Sequence, residues 1–364
     1  TRMLAGPFGS LILADLGADV IKIEEPRLGD PTRHNLPKIG GESAYFMSVN
    51  RGKRSVCLDL KSDIGKEKFL GLVKTADVVL ENFRPGVMER LGIGPHFLHQ
   101  IRPQLIICSI SGLGQTGPLK NKVSFDLVNQ AMAGLMSITG EAGRPPVRIG
   151  LPAGDLAGGI FASLGILAEL YGRRRHGRGS WIDLGLHDIL VSLLGYLGQL
   201  YFTTGEVPGP VGSGHHHIAP YRAFRAKDGY FVIAAFTQNF WVNFAAAIEM
   251  NDLILDARFA DITQRKHNKS ALYEIIDPVF ETKTVSEWVA VFENADVPVA
   301  KVLTVGEALE CEQSLARNVV FDYDHPELGR MKAVSSPFFC DGENWRSPLP
   351  PPLLGEHTDD ILDF

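Results

Sequence analysis

Apolar and polar positions along the first half of the chain switch repeatedly between two periods. Gly9 to Leu16 has helical spacing, and Asp19 to Ile23 follows as a short β-branched strand. Ser55 to Leu60 alternates as a strand, and Asp63 to Thr75 is an amphipathic helix. Val78 to Leu80 reads as a buried strand, Arg84 to Leu91 as a helix and Leu105 to Ile110 as another strand. Strand, crossover and strand repeated this way predict a parallel sheet with helices on both faces. Ligands in such folds bind at the carboxyl ends of the strands. The loops expected there are Glu24 to Arg33, Glu81 to Pro85 and Ser111 to Pro118.

The pattern then changes. Leu184 to Phe202 reads as one long apolar helix carrying Asp188, and the Gly/Pro-rich stretch Gly205 to Gly214 as a linker or mobile loop. Tyr221 to Phe224 and Tyr230 to Ala235 form a hairpin around Asp228-Gly229, a strong turn signal. Helical segments follow, one of them around Trp288, so a smaller α+β domain is expected here. A last strand pair near Val319 to Phe338 and the proline-rich tail Pro348 to Pro352 finish the chain, without internal repeats.

At 364 residues the chain is too long for one simple core. Hydrophobic residues at 45% and charged ones at 21% are ordinary for a soluble globular protein. A formal net charge of −6 argues against a general nucleic-acid binder, which needs a basic surface to displace counterions. Two local basic clusters, Arg51, Lys53, Arg54 and Arg173, Arg174, Arg175, Arg178, could hold a small polyanion; solvated surface and helix-end charge is the commoner fate. Cys57, Cys108, Cys311 and Cys340 lack paired spacing and read as reduced thiols in a cytosol-like compartment. With no signal peptide and no uncharged apolar run of about 18 residues, no membrane span is expected. The expected location is cytoplasmic, or an organelle matrix if a targeting segment precedes Thr1.

The first chemistry-bearing candidate is Asp155. It follows glycine in Gly150-Leu151-Pro152-Ala153-Gly154-Asp155 and opens the apolar, glycine-studded run Leu156 to Leu170, where a strand-like stretch turns sharply into a helix. An exposed carboxylate there is ionised at neutral pH, an unperturbed Asp titrating near ~3.9. It needs no partner base to attack an acyl carbon. Against this stands the capping role, since Asp is a preferred N-cap. Gly112-Leu113-Gly114-Gln115-Thr116-Gly117 matches GxGxxG, but Pro118 and Lys120-Asn121-Lys122 follow where a helix should begin. It reads as a turn-rich loop near the ligand. The consecutive His215, His216 and His217 cannot all converge on one metal, so no metal site is expected. No GxSxG elbow occurs, which removes a serine hydrolase.

With these residues the chain resembles the class III coenzyme A-transferases, the CaiB/BaiF family that includes formyl-CoA transferase and carnitine CoA-transferase. The similarity runs from Leu4 to Leu362. Its markers are Ala5-Gly6-Pro7, Asp15-Leu16-Gly17-Ala18, Glu81-Asn82-Phe83-Arg84-Pro85-Gly86, Phe125-Asp126, Gly154-Asp155-Leu156 and Gly177-Arg178-Gly179. Pro220-Tyr221, Asp228-Gly229 and Leu354-Gly355-Glu356-His357-Thr358 complete them. The resemblance implies an α/β fold: a Rossmann-like, parallel-sheet large domain built from both chain ends, plus a smaller domain. The large domain would take residues 1–204 and 319–364, with linker and small domain at 205–318, and two subunits would interlock as a homodimer. Asp155 would be the nucleophile. Coenzyme A contacts would fall on Leu4, Ala5, Leu58, Asp59, Leu60, Lys61, Asn82, Phe83, Arg84, Arg90, Val123, Ser124, Phe125 and Asp126. Coenzyme A and acyl-CoA would be substrates, with no tightly bound cofactor.

Relatives often carry Arg after the strand Ile21-Lys22-Ile23-Glu24, where this chain has Glu25; Arg27 is the possible substitute at the nucleotide. Racemases of the same fold carry His where Phe125 stands and Glu where Thr237 stands. Neither Phe nor Thr relays a proton, so group transfer through an aspartyl anhydride and an aspartyl-CoA thioester is favoured over 2-methylacyl-CoA racemisation. A non-catalytic coenzyme A-binding protein is the alternative of another class. The substrate loop would be Gly212, Ser213, Gly214 and His215, with the glycines stabilising oxyanions and shielding the anhydride. The segment through Tyr221 is similar to dicarboxylate-using members, with His215 and Arg222 placed to meet a distal carboxylate. The expected donor is succinyl-CoA and the acceptor a small carboxylic, dicarboxylic or hydroxy acid.

Overall fold

The computed structural model describes residues 1–363. Its parallel strands fall into two sheets rather than one. Val20–Glu24 pairs with Lys53–Cys57, Ile23 opposite Val56. Ile106–Ser111 lies between Val78–Glu81 and Trp181–Gly185. All six residues of this central strand are buried, as expected where both faces of a parallel sheet are covered. Glu81, Ser111 and Gly185 are the last residues of these three strands, so the loops leaving them share one edge.

Several boundaries differ from the periodicity. The second strand begins at Lys53, two residues before the alternation does, because its ammonium is buried. Lys53 Nζ donates to Pro7 O at 2.8 Å, Val49 O at 2.7 Å and Asn50 Oδ1 at 2.9 Å. Leu184 to Phe202 is not one helix. Leu184 and Gly185 complete a strand, and Gly195, at φ +51°, separates Leu186–Ser192 from Tyr196–Thr204. Arg84 to Leu91 shortens to Val87–Arg90, which starts behind a left-handed Gly86. The element before the helix that carries Asp155 is the short helix Leu135–Ile138, not the expected strand.

Ala153–His176 is the long helix, ending at Gly177 in the left-handed region. Its face Gly158, Gly159, Ala162, Ser163 and Ile166 is buried. Small residues there let the helix Ala5–Asp15 come to backbone contact. A Cβ on Gly159 would lie 2.8 Å from both Ala5 O and Gly9 N, and Ser163 Oγ donates to Gly9 O at 2.9 Å. The crossing fixes the start of the first helix one turn along from Asp155.

Two compact units divide the chain. One comprises residues 1–135, 148–206 and the described chain from Glu312 onward; the other comprises 136–147 and 207–311. The expected boundaries at 204 and 318 are thus shifted, and 136–147, placed in the large domain by the sequence, belongs to the second unit. Gly212 N–H donates to Gly140 O at 2.8 Å, which ties that segment there. In the first unit the chain ends are stitched together through buried polar contacts. Arg51 and Asp15 form an ion pair, Ser347 N–H donates to Asp15 Oδ1 at 2.9 Å, and Gly355 N–H donates to Ser55 Oγ at 2.9 Å. The second unit has the expected hairpin, Tyr221–Arg225 with Tyr230–Ala234, plus Val299–Lys301 in one antiparallel sheet. An aromatic core including Phe224, Phe231, Trp241, Phe280, Trp288 and Phe292 packs against it.

Replacing Gly159 by Ala gives up to about 1 kcal/mol of helix propensity. It also forces a methyl against backbone atoms that cannot swing aside, and overpacking of this kind costs about 1–3 kcal/mol. Gly159→Ala is therefore expected to lower the urea unfolding midpoint; an unchanged or higher midpoint would show that the helices can part freely.

Candidate active site

Helix capping was the competing role for Asp155, but the structure assigns the capping elsewhere. Pro152 occupies the cap position and provides no side-chain bond, while Asp155 sits in the first turn. Its acceptor is supplied from another helix, Asp126–Met132. Asp126 Oδ1 accepts from Gly154 N–H at 2.7 Å and lies 3.4 Å from Asp155 N. Gln130 Nε2 donates to Asp126 Oδ2 at 2.6 Å, and Ile149 N–H donates to Gln130 Oε1 at 3.0 Å. The Asp155 side chain is thereby left to point elsewhere. It is half-buried rather than exposed. Burial, then repulsion from Asp126, pushes its carboxyl up to about 6. An Asp of that pKa is still mostly ionised at pH 7, and more basic than an ordinary one.

Asp155 lines a cavity of about 360 Å³ at the carboxyl edge of the three-stranded sheet. Leu4 and Ala5 come to it from the start of the first helix, and Asn82, Phe83, Arg84 and Arg90 from beyond the strand Val78–Glu81. Ser124 and Phe125 come from the loop before Asp126. Asn82 clamps the Arg2 peptide, accepting from Arg2 N at 2.8 Å and donating to Arg2 O at 2.7 Å. Glu81, buried and with its carboxyl raised by desolvation, accepts from Phe83 N–H at 2.7 Å and fixes the turn. Arg2, Arg84, Arg90, Lys120 and Lys122 bring five cations to this one cavity, and none forms an ion pair among the described residues. For a chain of net charge −6, such a cluster is a local field suited to a polyphosphate.

Other sequence-derived contacts are not in the cavity wall. Leu58 is buried in the core, Leu60 packs against that core, and Asp59 and Lys61 are exposed on the turn that follows the strand. Val123 is exposed beside the lining residues, and the Asp126 carboxylate is spent on the helix turn. Glu25 accepts from Leu28 N–H at 2.7 Å and pairs with Arg27, so both serve their own turn. In the second unit, Gly212 adopts φ +62° with Glu141 against it, Ser213 Oγ accepts from Ala223 N–H at 3.0 Å, and Gly214 N–H donates to Val211 O at 2.9 Å. His215 Nδ1 accepts from His217 N–H at 3.0 Å. Arg222 is paired with Asp277 and stacked 3.8 Å from the Tyr273 ring, so the distal-carboxylate role expected of it is already filled internally. Thr237 Oγ1 accepts from Phe240 N–H at 3.1 Å as a helix cap.

The sequence placed Ser111 in an expected ligand loop but did not single out Arg2, Tyr45, Lys120 or Lys122 as site residues. Lysines on a loop beyond a parallel strand were a usable signal for two of them. Burial, followed by the charge of Asp155, raises the Tyr45 phenol. The Ser111 hydroxyl is buried without a hydrogen-bond partner at the cavity wall.

Residues 1–358 match the family described as CoA-transferase family III. The chain is similar to the acetyl-CoA:oxalate CoA-transferase of Acetobacter aceti, 41% identical over 88% of this chain and 82% of that one. It is also similar to the human succinyl-CoA:glutarate CoA-transferase, 35% identical over 100% of this chain and 83% of that one. Among solved structures, a CaiB/BaiF family protein from Brucella suis superposes with a TM-score of 0.88 at 34% identity, covering 99% of this chain and 95% of that one.

A carboxyl raised above its unfolded value holds its proton longer in the native state, so it opposes folding once pH exceeds the folded pKa. Asp155→Asn should therefore be more stable than the parent protein above pH 6, the advantage shrinking through the window from about 6 to 3.8 and vanishing below it. Urea titrations at pH 7.5 and pH 4 measure this. An equal difference at both pH values would place Asp155 outside a desolvated site.

Proposed function

This chain is a member of CoA-transferase family III, and on that premise we propose that it moves coenzyme A from an acyl-CoA thioester to a small dicarboxylic acid, with Asp155 as nucleophile. The observation that carries the proposal is Asp155 sharing one cavity with five cations that no carboxylate pairs among the described residues. The cations suit the phosphates of the coenzyme, Arg84 and Arg90 in fork geometry. Similar proteins named for oxalate and glutarate support a dicarboxylate acceptor, and the human one, named for succinyl-CoA, supports that donor.

A carboxylate oxygen of Asp155 bonds to the donor acyl carbon, the C–S bond breaks, and coenzyme A leaves as thiolate. The resulting mixed anhydride is attacked by the thiolate at the aspartyl carbonyl, which frees the donor acid and leaves an aspartyl-CoA thioester. The acceptor carboxylate attacks that thioester and expels the thiolate again. The thiolate then takes the acceptor acyl group and restores the Asp155 carboxylate. No proton moves in any step, so the nucleophile needs no acid or base beside it. Racemisation does need a proton relay on each face of the α-carbon. Phe125 presents a ring to the cavity and Thr237 caps a helix, so neither supplies one.

Incubation with succinyl-CoA and hydroxylamine should leave a hydroxamate on Asp155, read by peptide mass spectrometry. Asp155→Ala should cut exchange between labelled succinate and succinyl-CoA by roughly three orders of magnitude or more. Full turnover by that variant would sink the proposal. Coenzyme A binding without exchange in the parent protein would identify a silent binder.

The long helix also supports association with a second copy of the chain. It is long and apolar enough to cross a membrane by length and composition. One face is packed inside the first unit, while Ile160, Leu164, Leu167 and Tyr171, at helical spacing, are 41–69% exposed. An apolar stripe of this kind marks an interaction surface, and a homodimer accounts for it. Light scattering should find a dimer, and Leu164→Arg should shift it toward monomer. A parent protein that runs as a monomer at all concentrations would remove this reading.

A further inference from the structure

The N–H groups at a helix start stabilise a nearby anion, which makes a carboxylate placed there a weaker base. Asp155 stands in such a first turn. The donors that would weaken it are already engaged, since Gly154 N–H and, at longer range, Asp155 N–H are directed at Asp126 Oδ1. Asp126 is itself held in place. Gln130, fully buried, donates to its second oxygen and is anchored by Ile149 N–H. Packing closes the other side: a Cβ on Gly154 would lie 2.9 Å from Asp126 Oδ1 and 3.1 Å from Leu190 Cδ1.

We infer that Asp126, fixed by Gln130, is a positioning residue for acyl transfer: it occupies the helix-start donors with its own carboxylate and so keeps Asp155 a strong nucleophile. Asp155 acting as the nucleophile proposed above is the premise. The role replaces the coenzyme A contact that resemblance assigned to Asp126, whose carboxylate is absent from the cavity wall. Other charged or titratable groups stand on the elements packed around this helix start and in the cavity. Tyr45 comes from the helix Ala44–Asn50, and the five cations share the cavity. The helix Ala5–Asp15 carries Asp15, neutralised by Arg51, and the helix Leu186–Ser192 carries His187 and Asp188, which pair with each other. Asp126 is the neighbour whose charge raises the Asp155 carboxyl.

Asp126→Asn removes the charge and leaves an acceptor oxygen for Gly154. Aspartyl-CoA thioester formed from succinyl-CoA, trapped and quantified by mass spectrometry across pH 4–8, gives the acid limb of the reaction. Losing a like charge lowers the Asp155 pKa, so that limb should move to lower pH by roughly one unit. The plateau rate should fall a few-fold through lost basicity, with KM for the acyl-CoA unchanged. Asp126→Ala, which also removes the acceptor, should lose more. An unmoved acid limb in folded Asp126→Asn overturns the inference, as does a raised KM with kcat intact, the mark of a coenzyme A contact. If that variant does not fold, Gln130→Met frees Asp126 without altering its charge, returns the helix-start donors to Asp155, and should lower kcat and move the limb to lower pH; an unchanged kcat with an unmoved limb overturns the inference. Absence of any trapped thioester in the parent protein overturns the assignment of Asp155 itself, and the role of Asp126 with it.

Discussion

The start of the helix Ala153–His176 is closed by a carboxylate that arrives from 28 residues away, and the site depends on that contact. An acidic residue at a helix start normally spends its oxygens on the helix's own N–H groups. Here Asp126 does so, and Asp155 is spared. A neighbouring carboxylate charge disfavours ionisation of a second one, and burial does so more strongly. Asp126 has three donors around it; Asp155 has burial and a like charge, and its affinity for a proton rises. The arrangement divides one pair of identical side chains into an anchor and a half-buried carboxyl of raised proton affinity.

Much of this site was visible in the sequence. Gly154-Asp155 at the head of a glycine-rich apolar run marked the helix start, and the alternation of strand and helix located the sheet edge where its loops gather. The cap itself was not visible, because it joins two helices and follows from neither segment's pattern. Residues 58–61, assigned by resemblance, follow a strand of the other parallel sheet and lie outside the lining of this cavity. Lys53 shows the limit of periodicity in the core. A lysine reads as a surface position, yet three oxygen acceptors pull it inside, where desolvation drives its pKa well below the usual lysine value.

The cations of the cavity were hidden by their spacing. Arg2, Arg84, Arg90, Lys120 and Lys122 form no run, and the chain's net charge is negative. Only the fold, by bringing two strand-end segments and the start of the chain to one edge, makes them neighbours. Unpaired cations held together repel one another, a cost that a bound polyanion relieves. The basic residues that do form runs behave differently: Arg173 bonds Asp77, Arg51 pairs with Asp15 and Arg54 with Asp19. Clustering in sequence marked structure, and dispersal marked the candidate ligand surface.

The same economy of small residues ties the long helix to its neighbour. Gly9 and Gly159 meet at backbone distance, so the first helix is set by a contact only one turn from Asp155. A larger residue at either position would separate the two helices and shift Ala5 relative to the Asp155 carboxylate. Positioning to within a fraction of an ångström matters for an attacking oxygen, since near-attack geometry accounts for much of what an active site contributes. The glycines that leave the outer apolar face of this helix looking like a membrane span are thus better explained from its inner face, where close approach, not lipid, sets the composition.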